Sequence, residues 1–215
     1  MMSNEASSLI EPTALIARRG GLFVLSGPSG VGKDMVLREL LASPNTLPKL
    51  SRVVTATTRP PRPGEVDGVD YHFLTRQEFL HLSRKGGFLE TVEYAEELYG
   101  TPIEGIERLR ETGTDAILKI EVRGAQAVRD RFDDAVLVFL APPSRDELIA
   151  RLMVRGTDDE TTIEERLQIA NEELEAARLY DFIVVNDYVS RAVDALRAVI
   201  LAHRLRVVTE NPDAE

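Results

Sequence analysis

Gly27, Gly32 and Lys33 fall in the spacing G-x-x-x-x-G-K within Gly27-Pro28-Ser29-Gly30-Val31-Gly32-Lys33-Asp34. The chemistry of this pattern is phosphate binding. Glycines let successive backbone N–H groups turn inward toward anionic oxygens, and a helix opening directly after the loop adds its positive end. A lysine at this position reaches the β- and γ-phosphates of a nucleoside triphosphate. All eight residues, Asp34 included, are therefore candidate ATP contacts. The alternative is an ordinary glycine-rich turn between a strand and a helix. The eighth position departs from the pattern, because Ser or Thr there normally gives its hydroxyl to Mg²⁺. Asp34 is also a hard oxygen ligand, but it puts a negative charge beside the triphosphate.

A second group of residues follows. Thr55-Ala56-Thr57-Thr58-Arg59-Pro60-Pro61-Arg62-Pro63-Gly64-Glu65 precedes Asp67-Gly68-Val69-Asp70-Tyr71-His72-Phe73. Arg59 and Arg62 carry forked donors that suit phosphate and do not titrate. Further along, Arg151 and Arg155 are four apart on a predicted helix and share one face, and Arg166 lies on the next. For each arginine set there is a plainer reading, a solvated salt-bridge cluster. In that reading Glu90 joins Arg59 and Arg62, and Glu164 and Glu165 partner the later arginines. His72, His81 and His203 show no metal-ligand spacing.

The elements that must position these groups are legible as apolar runs. Leu22–Leu25 enters the glycine loop and reads as a buried strand, with a helix over Met35–Leu41 behind it. Ala116–Ile120, Ala135–Leu140 and Phe182–Val185 read as further buried strands. Helical spacing covers Arg123–Arg131, Arg145–Arg155, Ile163–Leu179 and Ser190–Leu205. Alternating strands and helices predict an α/β fold, a P-loop NTPase-type parallel sheet with helices on both faces. Residues 55–101 interrupt the alternation and read as a small inserted subdomain, with Tyr94 and the phenylalanines as its core. Residues 21–54 and 102–208 then form the sheet domain, so that the domain as a whole spans 21–208. Residues 1–20 read as a polar leader, about 154–166 as a lid, and 209–215 as a frayed tail.

The two groups together closely resemble the guanylate kinase family, whose pattern is a P-loop, then T-T-R-x-P-R-x-G-E, then G-x-D-Y-x-F. The resemblance runs from about Gly21 to about Arg204. It implies phosphoryl transfer from ATP to GMP, with an inserted GMP-binding subdomain and a lid. It also implies that Arg59, Arg62, Tyr71 and Tyr99 hold the GMP phosphate, while Glu90 reads the guanine N1–H and amino group. Thr55 and Thr101 match hydroxyl positions near the base. Arg151-Leu152-Met153-Val154-Arg155-Gly156-Thr157 resembles the family's lid string, which makes Arg151, Arg155 and Arg166, with Lys33, the residues that neutralise the transferring phosphoryl group. Val184-Val185-Asn186-Asp187 resembles the strand end that contacts adenine, with Asn186 as the candidate, although Asn-Asp there is also plain turn chemistry. A buried carboxylate at Glu90 would penalise AMP, which offers only an amino donor on that edge.

A second departure pairs with the first. Lys119-Ile120-Glu121 occupies the place of the family's D-x-D, ahead of Val122-Arg123-Gly124. Glu121 keeps the second acid, at the GMP site, and Lys119 replaces the first. An acid has appeared at 34 and a cation at 119, so a buried or semi-buried Asp34–Lys119 pair is expected, with Mg²⁺ dependence altered accordingly. The alternative is that Lys119 points elsewhere and waters and phosphate hold the metal. Other readings of the chain are a ribose bisphosphate kinase-like enzyme, which can also show G-K-D in the loop, and a non-enzymatic guanylate-kinase-like binding module.

Bulk properties agree with an enzyme of small anions. The chain has 215 residues, 43% apolar and 29% charged, ordinary for a globular fold. A net charge of −10 argues against a broad duplex-binding face, so no nucleic-acid partner is expected. The absence of cysteine fits a reducing compartment, and no signal or membrane-spanning run is read. A cytoplasmic monomer or homodimer is expected.

Overall fold

The computed structural model describes residues 19–42, 49–153 and 172–207. In chain order the elements are β1 (Leu22–Ser26), α1 (Lys33–Ala42), β2 (Leu50–Arg52), β3 (Ala56–Thr57), β4 (His72–Phe73), α2 (Arg76–Arg84), β5 (Phe88–Tyr94) and β6 (Glu97–Pro102). They continue with α3 (Ile103–Glu111), β7 (Asp115–Lys119), α4 (Val122–Arg131), β8 (Val136–Ala141), α5 (Arg145–Met153), β9 (Phe182–Val185) and α6 (Val189–Arg204).

A five-stranded sheet has the order β2-β7-β1-β8-β9, and every pairing in it is parallel. β1 is central and buried throughout. Its alternate side chains serve opposite faces. Phe23 and Leu25 pack with Val36 and Leu40 of α1 and with Leu196 and Ile200 of α6. Leu22 and Val24 pack with Ile106 of α3 and Val128 of α4. Helices thus cover both faces, as a continuous apolar strand requires. The loops after β1, β7 and β9 emerge together at the carboxyl edge, where open α/β sheets bind ligands.

A second sheet of order β4-β3-β6-β5 is drawn from residues 56–102, the stretch that interrupts the alternation. α2 packs on it through Phe79, which stacks on Phe88 with ring centroids 4.3 Å apart. Tyr94 differs from expectation. It is 72% exposed, because a register shift between Phe88 and Thr91 sends Glu90, Val92 and Tyr94 to a cleft rather than to the Phe79 cluster.

β9, expected as a buried strand, lies at the sheet edge and leaves Phe182, Ile183 and Val185 exposed. Inside the insert no element was assigned from sequence, and outside it β2 and α3 were not anticipated. β2 is a three-residue edge strand with only one apolar side chain. α3 buries Ile106 together with Arg110. α2 buries Phe79 alone, but opens with a capping box between Thr75 and Glu78. Of the helix expected over Ile163–Leu179, residues 163–171 lie outside the described residues, and Ala176–Leu179 forms a 3₁₀ turn. The leader up to residue 18, the lid at 154–166 and the tail at 209–215 also lie outside the described residues.

Candidate active site

The glycine loop leaves β1 and closes on α1. Gly27 and Gly32 have φ of 145° and 99°, which L side chains rarely adopt. A Cβ on Gly27 would also stand 2.2 Å from Leu140 O. The hollow above the loop, about 300 Å³, is lined by Pro28, Ser29, Gly30, Gly32, Lys33 and Asp34, among others. Lys33 Nζ folds back to donate to Gly27 O and, at 3.0 Å, to Pro28 O. Burial pushes its pKa below the ordinary 10.5, and the nearby charge of Lys119 pushes the same way. Glu173, Glu121 and Asp34 oppose the shift. Glu173 is a neighbour that sequence motifs did not single out.

Asn186, expected at adenine, is buried beside the loop. Its Nδ2 donates to Val31 O at 2.8 Å. Arg151 joins it there, donating to Asn186 O at 3.1 Å and Val31 O at 3.4 Å, and pairing with Glu147 at 3.0 Å. In this state Arg151 braces the P-loop rather than reaching over the hollow. Arg155 and Arg166 lie outside the described residues.

A second cleft, about 490 Å³, lies between β5, β6 and the end of β7. It is lined by Thr55, Glu90, Tyr99, Thr101, Lys119 and Glu121, with Gly124 at its wall. Four of these come from the second sheet or its approach, and two from the end of a strand beside the P-loop strand. Thr101, itself buried, donates through Oγ1 to Glu90 Oε1 at 3.4 Å. Burial raises the Glu90 pKa above the ordinary 4.5, and the charge of Glu121 adds to the shift, against the Thr101 hydrogen bond. The arrangement offers a half-buried carboxylate and hydroxyls to a planar, donor-rich base.

Arg59 is held beside this cleft by several neighbours. Its Nη2 lies 2.8 Å and 3.0 Å from the two oxygens of Glu65, and its guanidinium sits 5.4 Å from the Tyr71 ring centroid and 5.9 Å from that of Phe73. Tyr71 in turn lies 6.1 Å from Tyr99. The Glu65 carboxylate, chiefly, and Tyr99 hold the Arg59 pKa above its ordinary value. Arg62 is exposed and shares the loop: its backbone N–H donates to Glu65 Oε2 at 2.6 Å. Glu65, not singled out for a role from sequence, is the hinge of this cluster.

The two hollows meet at the expected pair. Lys119 Nζ lies 2.5 Å from Asp34 Oδ1; Asp34 lines the loop hollow and Lys119 the second cleft. The pair is not buried, however, with side-chain exposures of 34% for Lys119 and 77% for Asp34. Asp34 opens α1 on its solvent side, so the several-kcal/mol cost of breaking a buried pair does not apply.

Comparison with known proteins adds an independent observation. The sequence model of the guanylate kinase family matches residues 19–203. A guanylate kinase from Desulfitobacterium hafniense is 46% identical over 188 residues, which is 87% of this chain and 92% of that protein. One from Streptococcus agalactiae is 46% identical over 192 residues, 89% of this chain and 91% of that protein. The crystal structure of a guanylate kinase from Anaplasma phagocytophilum superposes with a TM-score of 0.65 at 28% identity, covering 89% of this chain and 90% of the other.

Proposed function

The chain belongs to the guanylate kinase family and is an ATP:GMP phosphotransferase, and from that premise we propose how its own residues divide the work. ATP lies over the glycine loop, its phosphates on the inward N–H groups and on Lys33, which swings from Gly27 O and Pro28 O to meet them. GMP lies in the second cleft. Glu90 accepts from the guanine N1–H and amino group, Thr55 and Thr101 supply hydroxyls, and Glu121 borders the base. Arg59, Arg62, Tyr71 and Tyr99 hold the GMP phosphate.

A GMP phosphate oxygen forms a bond to the γ-phosphorus of ATP as the bond to the β,γ-bridging oxygen breaks, giving GDP and ADP. The attacking oxygen is already ionised, so no side chain need remove a proton from it. Catalysis comes from alignment and charge neutralisation. Arg155 and Arg166 complete that neutralisation from the lid, and Arg151 leaves its bracing position to join them. Residues 55–101 close toward the P-loop on binding and exclude water.

Among the described residues no three acidic or histidine side chains gather to hold a metal ion. The exposed Asp34 carboxylate lines the phosphate hollow and would hold Mg²⁺ brought in on the triphosphate, a fit to an ion that keeps most of its ligands from phosphate and water. The ion would supply charge screening to the phosphate oxygens. Lys119 offsets the charge of Asp34 and takes over part of that screening, so the metal requirement is shallower than where the loop ends in a hydroxyl.

No helix among the described residues is long and apolar enough to cross a membrane. A cysteine-free chain acting on ATP and GMP belongs in the cytoplasm.

The observation that carries this reading is the meeting of the phosphate hollow and the Glu90 cleft at the Asp34–Lys119 contact. A coupled ADP-release assay tests it, with GMP, AMP or a ribose bisphosphate as acceptor, with and without Mg²⁺. GMP is expected to be turned over and AMP to be strongly disfavoured. Preference for the ribose bisphosphate, or no turnover with any acceptor, overturns it.

A further inference from the structure

Gly124 stands in the first turn of α4, where glycine is a poor helix former and no unusual backbone geometry calls for it. It is absent from the glycines with positive φ, and its N–H makes an ordinary turn bond to Glu121 O at 2.9 Å. Space explains it instead. A Cβ built on Gly124 would lie 2.5 Å from Glu90 Oε2 and 3.3 Å from Glu90 Cδ, with Ile120 Cδ1 at 3.4 Å closing one side. Glu90 is thus lodged between two contacts. Thr101 donates to Oε1, and the bare backbone of Gly124 receives Oε2.

We infer that Gly124 is a positioning residue for acceptor selection: its missing side chain is the seat of the Glu90 carboxylate, and it sets where that carboxylate meets the base. This rests on the reading of Glu90 as the guanine-binding group. The atom that a methyl group would strike is the free end of a flexible side chain, not backbone, so the fold survives while the carboxylate is pushed into the cleft. Alanine also favours the helix. Stability and acceptor binding therefore move apart, which a merely structural glycine would not allow.

The test is Gly124→Ala in the full chain, alone and in a Glu90→Ala background, read by steady-state kinetics with each substrate varied and by thermal unfolding. In the parent background Gly124→Ala is expected to raise KM for GMP by about tenfold or more, leave KM for ATP within about twofold, and leave the unfolding midpoint unchanged or higher. In the Glu90→Ala background it is expected to have no further effect on GMP, since the group it displaces is gone. An unchanged KM for GMP in the parent background, or an equal loss in both, overturns the role of Gly124. If Glu90→Ala itself leaves GMP binding intact, the assignment of Glu90 fails first and takes this inference with it.

Discussion

Lys119 Nζ and Asp34 Oδ1 meet at 2.5 Å across 85 residues of chain, because β7 and β1 are parallel neighbours with Leu25 opposite Lys119. By the sequence resemblance each residue is a departure from the family pattern, and the two changes are opposite in sign. Their exposure makes the contact an electrostatic setting rather than a structural support. Asp34→Ser or Lys119→Asp is expected to change unfolding free energy in urea by less than about 1 kcal/mol. The effect should appear in the metal instead. Lys119→Asp is expected to move the Mg²⁺ concentration for half-maximal turnover by a factor of about 2–5, the scale of one exposed charge interaction. An ordinary steep Mg²⁺ requirement, unchanged by Lys119→Asp, would remove any role for the pair in catalysis.

Glu90 pits binding against stability. Burial raises its pKa, so the folded state holds its proton more tightly than the unfolded chain does. The sign follows directly: its contribution to stability is present below the ordinary value of 4.5 and is lost as pH rises through the folded-state value. Above that value the ionised carboxylate is a net cost to the nucleotide-free protein. Glu90→Gln is expected to leave the unfolding midpoint of the free protein equal or higher, while raising KM for GMP by roughly 10–100-fold, the loss of charge-assisted hydrogen bonds. Thermal unfolding without nucleotide, beside kinetics with GMP, reads both.

The core sheet was legible wherever burial on both faces leaves an apolar run, as in Leu22–Leu25 and Val136–Leu140; Phe182–Val185 is an equally apolar run at the sheet edge, with Val184 alone buried. The sheet was not legible in β2, where Leu50-Ser51-Arg52 sits on an edge and needs no such run. α3 was hidden because Arg110, 1% exposed, occupies a core position that reads as solvent face. It is kept there by Gly20 O and the Asp134 carboxylate. α2 left a signal that went unused, the Thr75–Glu78 capping box. In the site, residue types and spacing marked the phosphate loop, the family resemblance marked Arg59 and Glu90, and two opposite charge changes marked the 34–119 contact. Solvent exposure of that contact, the bracing of the loop by Asn186 and Arg151, and the seat at Gly124 are matters of third-dimensional placement that no local pattern carries.

The turn between β5 and β6 is strained. Ala95 and Glu96 have φ of 50° and 66°, and Tyr94 pairs with Glu97 across them. This is a two-residue hairpin turn with both central residues left-handed, a geometry that favours Asn-Gly. Ala95→Asn with Glu96→Gly is expected to add about 1 kcal/mol to stability and raise the unfolding midpoint by roughly 2–4 °C, with turnover unaffected. A midpoint that stays level or falls would show that the turn is not the site of strain.

His203 sets an acid limit on the fold. Its ring meets Phe23 edge-on, with centroids 5.3 Å apart, and its Nδ1 is buried with no hydrogen-bond partner among the described residues. Burial, chiefly, pushes its pKa below the ordinary 6.5; Arg206 and Arg110 act in the same direction, and Asp115 and Asp134 oppose them. The unfolded chain therefore takes up a proton before the folded protein does. Stability is fully present above 6.5, the unfolded value, and is lost as pH falls through it toward the folded value. His203→Leu keeps an apolar contact on Phe23 and removes the titration. Urea unfolding of parent and variant between about pH 7.5 and 5.5, a window spanning the unfolded histidine, is expected to show a smaller loss of stability in the variant. Parallel curves for the two proteins would mean that other groups carry the acid sensitivity.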